Sequence, residues 1–166
     1  MVLDDYSARV IREFYTHIGG MPTRLQASTR YINYEDLKYY TPPSIAKDLE
    51  LVKIYDGCMD NIMTAYEQLL LKGVSGEDAA NLLPLGMNTK IVVRTNVRNL
   101  MDMSRQRMCN RAYEEFRKLF TDIIEALNNY GVEWQSITSH LFHPKCEELG
   151  YCPEKYGCGL YPKREE

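Results

Sequence analysis

The sequence lacks the features of a membrane, exported or general nucleic-acid-binding protein. No apolar run approaches the ~18 residues that span a bilayer, and the start, Met-Val-Leu-Asp-Asp-Tyr, is not the basic-then-apolar pattern of a signal peptide. Positive charge is not in surplus either, since 20 Lys and Arg face 23 Asp and Glu for a net charge of −3. Nucleic-acid binders usually carry a basic field. We therefore expect a cytoplasmic protein with neither nucleic acid nor a membrane as partner.

The five cysteines are not arranged in close pairs. Zinc sites usually show cysteines two to four residues apart, whereas five residues separate Cys146 from Cys152 and Cys152 from Cys158. This spacing favours a tail with free thiols, and we predict no metal ligand; a structural zinc ion held together with His143 stays an alternative. Cys109, like Cys58, lies in a predicted helix, where a lone cysteine is more often a small core residue than a nucleophile.

The composition is that of a globular domain of ordinary size. A chain of 166 residues with 45% apolar and 26% charged residues can bury a conventional core. The sequence contains no internal repeat, low-complexity tract or linker. We predict one domain over residues 1–141, followed by a cysteine-containing tail over 142–166.

Apolar spacing predicts mainly helices with one clear strand. The β-branched run at Ile91 predicts a strand over 89–94, and residues 23–34 have the composition of a loop that leads into a short extended piece. Asn96 is a good N-cap, and Ser75 with Asp78 resembles a capping box. The helices are predicted over 7–18, 48–72, 75–83, 97–111 with the pattern continuing to 127, and 134–141.

Two segments have the chemistry to bind a small anion. One is the loop at 26–31, whose hydroxyls and guanidinium suit a phosphate; the alternative is a polar turn with Arg30 in a surface ion pair. The other is an arginine-rich stretch that would form an anion site near a helix N-terminus or, alternatively, a solvated face beside Glu114 and Glu115. Its members are Arg94, Arg98, Arg105, Arg107, Arg111 and Arg117.

Taken together, these segments resemble a known enzyme family. Gln26-Ala27-Ser28-Thr29-Arg30-Tyr31 resembles the second half of the signature motif of flavin-dependent thymidylate synthases, which reads Glu or Gln, any, Ser, any, Arg, Tyr. Residues 82–90, residues 95–102 and Gln106-Arg107 resemble the second conserved region of the family in order and spacing. The resemblance spans about residues 8–125.

The resemblance implies a fold, an assembly and a reaction. The fold would be α+β, mainly helical with a small antiparallel sheet, and four copies would form a homotetramer with shared active sites. Methylenetetrahydrofolate would donate a carbon to dUMP to give dTMP, reduced FAD would supply the hydride, and NADPH would re-reduce the flavin. No cysteine nucleophile is needed. The protein would position its ligands around a cofactor that carries the chemistry.

The resemblance also assigns roles to individual residues. Arg107 is the catalytic residue, because its guanidinium would stabilise negative charge on the pyrimidine as the base is attacked. The residues implied to bind dUMP are Gln26, Ser28, Arg30, Arg107 and Arg111. The residues implied to bind the flavin are His17, Arg24, Asn96, Arg98 and Asp102.

The sequence departs from the family pattern at several positions. Thr16-His17-Ile18 lacks both arginines of the motif's opening Arg-His-Arg, and Arg24 would fold back to supply one of these charges. Ala80 stands where the family commonly has a nucleotide-binding arginine, and Arg111 replaces a histidine near the base. The resemblance also implies a segment before the motif that we expect this sequence to lack. A fragment, a non-catalytic nucleotide- or flavin-binding paralogue and an enzyme for another pyrimidine nucleotide therefore stay open.

Overall fold

The computed structural model describes residues 1–19, 22–28 and 37–164, and the chain forms two compact units. The first unit contains Met1–Tyr15 and Arg24–Val93, and the second contains Thr16–Thr23 and Arg94–Glu166. Of the helices in these described ranges, none combines the length and apolar character needed to cross a membrane.

A three-stranded sheet lies in the first unit. Its strands are β1 (Val2–Ser7), β2 (Thr23–Gln26) and β3 (Asn88–Arg94), in the order β1-β3-β2. β1 and β3 are antiparallel, with Val2 opposite Val92 and Ser7 opposite Asn88. The pleat places alternate residues on opposite faces, and accordingly Ile91 is buried while Val92 is exposed. The predicted α+β fold with a small sheet and the predicted strand at 89–94 are confirmed.

The prediction for the first 28 residues is wrong in three respects. β1 was not predicted, because its alternation is interrupted by a register shift between Leu3 and Tyr6, where Asp5 has a φ of 61°. The first helix, α1 (Ala8–Phe14), is shorter than the predicted 7–18 because Ser7 ends β1 and caps the helix, accepting a hydrogen bond from Val10 N at 3.1 Å. The start of the predicted loop is β2, and Ala27 N donates to Lys90 O at 2.8 Å.

The other elements of the first unit, among the described residues, are helices. They are α2 (Pro43–Ala46), α3 (Leu49–Leu71), α4 (Gly76–Ala79) and a 3-10 turn at Ala80–Leu82. Asp48 caps α3 by accepting from Glu50 N at 2.9 Å, and Ser75 caps α4 as predicted. Tyr66, Ala79 and Met87 form a buried cluster. The predicted long helix at 48–72 is confirmed.

From residue 97 onward, the second unit contains helices followed by the tail. The helices are α5 (Val97–Arg107), α6 (Glu114–Tyr130), α7 (Val132–Leu141) and α8 (Lys145–Leu149). Their buried apolar side chains include Met103, Phe116 and Phe120. The predicted helix through 111 is wrong at its end, because α5 stops at Arg107 and Arg117 Nη1 donates to Asn110 O at 2.7 Å in the connecting turn.

Candidate active site

Arg107, the last residue of α5, is held by two neighbours within the second unit. Its Nε donates to His17 Nε2 at 2.9 Å. Its guanidinium carbon lies 4.8 Å from the centroid of the Phe116 ring. The His17 ring meets the same Phe116 ring edge-on, with centroids 6.0 Å apart and an interplanar angle of 70°. The guanidinium is therefore held by a hydrogen bond from Nε and by its contact with an aromatic ring.

The hydrogen bond from Arg107 determines the state of His17. A guanidinium Nε always carries a proton in a protein, so His17 Nε2 accepts the bond and holds no proton of its own. His17 is thus neutral in this arrangement, with its ring proton on Nδ1. The resemblance implied that His17 binds the flavin and that Arg107 binds dUMP, whereas in the structure the two side chains are in contact.

Phe116 is the member of this group that sequence reasoning missed. Its side chain is completely buried on α6, and in the sequence it is one apolar residue of a regular helical pattern. Nothing in that pattern distinguishes a core phenylalanine from one that packs on an arginine. Its role is visible only once α5 and α6 are folded against each other.

Three of the residues implied to bind flavin lie on the first turns of α5. The side chain of Asn96 accepts a hydrogen bond from Asn99 N at 2.8 Å, which confirms it as the N-cap. Arg98 Nε lies 3.3 Å from Asp102 Oδ2 across one turn. The side chains of Arg98 and Asp102 are 73% and 43% exposed, so both are reachable from solvent.

Asp102 also belongs to an ion-pair network that ties two helices together. Its Oδ1 lies 3.4 Å from Arg105 Nη1. Arg105 in turn meets Glu148 on α8 with Nε and Nη2, each 2.9 Å from a carboxylate oxygen. Two parallel bonds of this kind are the strong form of an Arg–carboxylate contact. Asp102 therefore helps to hold α5 against α8 through Arg105, and it also pairs with Arg98 on the surface.

Three more predicted residues lie in the first unit, on β2 and just after it. Arg24 Nη1 donates to Tyr15 O at 3.2 Å, and its guanidinium lies 5.6 Å from the Phe14 ring and 5.0 Å from the Tyr15 ring. Burial in this aromatic setting lowers the pKa of Arg24 from its ordinary value. Gln26 is exposed and Ser28 is half-buried. Arg30 lies outside the described residues.

Arg111 lies in the second unit beside a cavity of about 490 Å³, where the turn after α5 meets the tail. It donates to the backbone carbonyl of Tyr156, and its guanidinium lies 5.9 Å from the Tyr156 ring. Arg105, Arg107 and Lys145 line the same cavity, which gives its wall a basic character. The arginines of this stretch thus have different surroundings. Arg105, Arg107 and Arg111 line the cavity. Arg98 and Arg105 form ion pairs, and Arg117 bonds to the turn between α5 and α6.

Most of the chain matches one known protein family. Residues 4–130 match the model of a family described as thymidylate synthase complementing protein. That match covers most of the chain. The chain belongs to this family. The match ends where α6 ends, so α7, α8 and the tail lie beyond the family model.

Curated members of the family are similar over most of this chain. The flavin-dependent thymidylate synthase of Pyrococcus abyssi is 34% identical over 134 residues, which cover 78% of this chain and 55% of the relative. That of Nitratidesulfovibrio vulgaris is 34% identical over 153 residues, covering 84% and 60%. That of Clostridium tetani is 30% identical over 154 residues, covering 81% and 59%. The chain therefore spans a little over half the length of the relatives it matches.

Proposed function

We propose that the chain acts as a flavin-dependent thymidylate synthase. It would convert dUMP to dTMP with methylenetetrahydrofolate as the carbon donor, FAD as the flavin and NADPH as the reductant. The observation that carries this proposal is the contact of Arg107 with His17 and Phe116, at the end of a helix that belongs to a family motif.

Arg107 has the chemistry to activate a pyrimidine. Attack at the ring carbon places negative charge on a carbonyl oxygen, and a fixed cation beside that oxygen stabilises the charge. A guanidinium that is already held by His17 and Phe116 needs little reorganisation when the charge develops. Arg107 is thus the proposed catalytic residue, and neutral His17 is its positioning partner.

The remaining dUMP contacts are proposed for Gln26, Ser28, Arg30 and Arg111. Ser28 and Gln26 offer a hydroxyl and an amide, and Arg30 would offer a fork of donors to the nucleotide phosphate. Ala27 N donates to Lys90 O, which fixes the backbone between Gln26 and Ser28 against β3. A charge-assisted hydrogen bond to the phosphate contributes roughly 1.5–3 kcal/mol.

The start of α5 fits the phosphates of FAD. Asn96 caps an 11-residue helix whose first amide N–H groups and dipole favour an anion. Arg98 pairs with Asp102 on the surface, where such a pair contributes about 0–1 kcal/mol. A diphosphate can therefore take Arg98 from Asp102 at small cost. His17 and Arg24 are proposed to complete the flavin contacts; the flavin itself supplies the hydride chemistry when bound.

We place this activity in a cytoplasmic homotetramer whose subunits share active sites. An isolated chain would expose large apolar side chains along α3, with Leu49 at 78%, Ile54 at 71% and Leu71 at 87% exposure. We propose that these exposed apolar side chains lie in the interface between subunits. Neighbouring subunits would cover this helix and add residues to each site.

Flavin retention is the first test. The purified chain is incubated with FAD, passed through gel filtration and measured by visible absorbance. We expect retained flavin at close to one per chain. The loaded protein is then assayed for tritium release from labelled dUMP, which must depend on both methylenetetrahydrofolate and NADPH. A folded, FAD-loaded tetramer that releases no tritium would overturn the proposed enzyme.

A non-catalytic nucleotide-binding protein is the second candidate, and Ala80 favours it. Ala80 is half-buried at the start of the 3-10 turn and has no group that binds a phosphate. In that case calorimetry shows dUMP binding while tritium release stays absent.

The hydrogen bond from Arg111 to the Tyr156 carbonyl favours a third candidate, an enzyme for another pyrimidine nucleotide. A substrate panel in which dUMP is turned over fastest would exclude it.

A further inference from the structure

Four of the five cysteines line one cavity in the second unit. Cys109 lies in the turn after α5, Cys146 lies on α8, and Cys152 and Cys158 lie in the tail. All are free thiols, and Cys146 and Cys152 are buried. Cys58 lies on α3 in the other unit. The chain thus gathers thiols from three separate segments at one place.

The backbone of the tail is folded tightly around these thiols. Gly150 ends α8 with a φ of 73°, a conformation that favours glycine, and turns the chain toward Cys152. Cys152 N donates to Pro162 O at 2.7 Å, which brings the end of the tail back beside this cysteine. A Cβ added at Gly157 would lie 3.2 Å from Cys152 Sγ, so the chain next to Cys158 approaches that thiol closely.

The tail has few buried apolar side chains that could stabilise this conformation. Within 142–164 the buried apolar residues are Phe142, Cys146 and Cys152, and two of these three are cysteines. Short segments with so small a core usually need a cross-link or a metal ion for stability. The cysteines therefore occupy the positions from which a cross-link would stabilise the tail.

The cavity wall also carries basic side chains beside the thiols. Arg111 and Lys145 line the cavity and would balance the net negative charge that remains once four thiolates surround a divalent ion.

We propose that Cys109, Cys146, Cys152 and Cys158 bind a structural zinc ion that fastens the tail to the end of α5. Structural zinc ions are held in tetrahedral sites, and four cysteine thiolates are one of the usual ligand sets. The cavity of about 490 Å³ has room for the ion and its ligands. Each thiol gives up its proton to solvent as a Zn–S bond forms, and no oxidant or reductant takes part.

Binding must draw the thiolates inward. Within residues 1–19, 22–28 and 37–164, no three His, Cys, Asp or Glu side chains already surround a point that suits a metal ion. The sequence grouped the tail cysteines with His143, but His143 is not among the described residues that line the cavity, whereas Cys109 is. Cys109, predicted to be a lone helical thiol, thus becomes the fourth ligand.

Metal content tests the site without reference to enzyme activity. The full chain, purified under reducing conditions, is given excess zinc, passed over a desalting column and measured by elemental analysis. We expect about one zinc per chain. Replacement by cobalt should give the intense sulfur-to-cobalt absorption and the visible bands of a tetrahedral thiolate site. A reduced, folded chain that retains no zinc would overturn the proposal.

Single substitutions identify the ligands. Cys109→Ser and Cys158→Ser should each lower zinc affinity at least tenfold and weaken the cobalt spectrum, whereas Cys58→Ser, the matched control in the other unit, should change neither. Zinc binding by Cys109→Ser as tight as that of the parent would contradict the assignment.

If a variant fails to fold, the number of reactive thiols in the parent protein, counted with and without zinc, tests the site instead. Zinc should protect about four thiols and leave Cys58 reactive, whereas a loss of thiols without zinc would indicate disulfides and refute the site.

Discussion

Arg107 makes two contacts that a lysine cannot reproduce together. Its Nε donates to His17 while the guanidinium carbon lies 4.8 Å from the centroid of the Phe116 ring. We expect Arg107→Lys and Arg107→Ala each to lower turnover by about 10²-fold or more, since removal of one preorganised charge stabiliser costs about 3 kcal/mol of transition-state energy. The free energy of unfolding should fall by only about 1 kcal/mol. Tritium release and chemical denaturation measure the two effects.

Arg98→Ala is the control for this comparison, because Arg98 is an exposed arginine on the same helix. Its loss should weaken FAD binding while turnover at saturating FAD stays near the parent value. If Arg107→Lys retained full turnover, the planar contact with Phe116 would have no role in catalysis. A collapse of the melting temperature in both Arg107 variants would make Arg107 a structural residue.

Single residues were predictable from sequence where their role is local. Asn96 and Ser75 were expected to cap helices because a capping side chain bonds to a backbone N–H two or three residues away, and both do so. The contact of Arg107 with His17 joins residues 90 positions apart. No local pattern encodes such a contact, so the sequence supplied both residues but not their pairing.

Asn96 is the N-cap of α5, and it is also proposed to bind FAD. Substitutions can separate these two roles. Asn96→Ser keeps an oxygen that caps α5, whereas Asn96→Ala removes it and should lower the free energy of unfolding by about 1 kcal/mol. If Asn96 also contacts FAD, both variants should bind FAD more weakly. Denaturation and FAD titration of the two proteins check this. Normal FAD affinity in Asn96→Ser would confine Asn96 to its capping role.

Gly57 lies in the interior of α3, where glycine weakens a helix. An added Cβ there meets no atom within 4 Å. Gly57→Ala should therefore raise the free energy of unfolding by about 0.5–1 kcal/mol. Gly73→Ala is the matched contrast, because a φ of 83° opposes alanine and should produce a loss of about 1–2 kcal/mol. Thermal denaturation of both variants tests the pair, and a loss in Gly57→Ala would mean that another subunit packs closely on this part of α3.

Elements were predicted well where one periodicity runs without interruption. The helix at 48–72 and the strand at 89–94 were found in this way. β1 was missed because Asp5 breaks its alternation, and the end of α5 was missed because apolar spacing continues through the turn into α6. Hydrophobic periodicity reports which side chains are buried, and it does not report where the backbone changes direction.

At the scale of the whole molecule, the chain spans a little over half the length of its curated relatives and forms two compact units. Neither unit carries all the residues implied by the family motifs: Gln26 and Ser28 belong to the first, and His17, Asn96 and Arg107 belong to the second. The proposed function uses residues of both sets, and the homotetramer with shared active sites that we propose would supply them.

The assembly itself is tested at α3. Ile54 is an apolar residue that is 71% exposed in the single chain, and a neighbouring subunit would bury it. Ile54→Glu would place a charge in that interface without a partner, and an unpaired buried charge is strongly unfavourable. We therefore expect light scattering to show a tetramer for the parent and smaller species for Ile54→Glu, with retained FAD falling in parallel.

The control is Lys53→Glu, since Lys53 is an exposed neighbour of Ile54 on the same helix. This variant controls for added negative charge and should leave the tetramer intact. A tetramer that is unchanged by Ile54→Glu would place the subunit contacts elsewhere on the chain, while a parent that is monomeric and still binds FAD would show that one chain can form the flavin site alone.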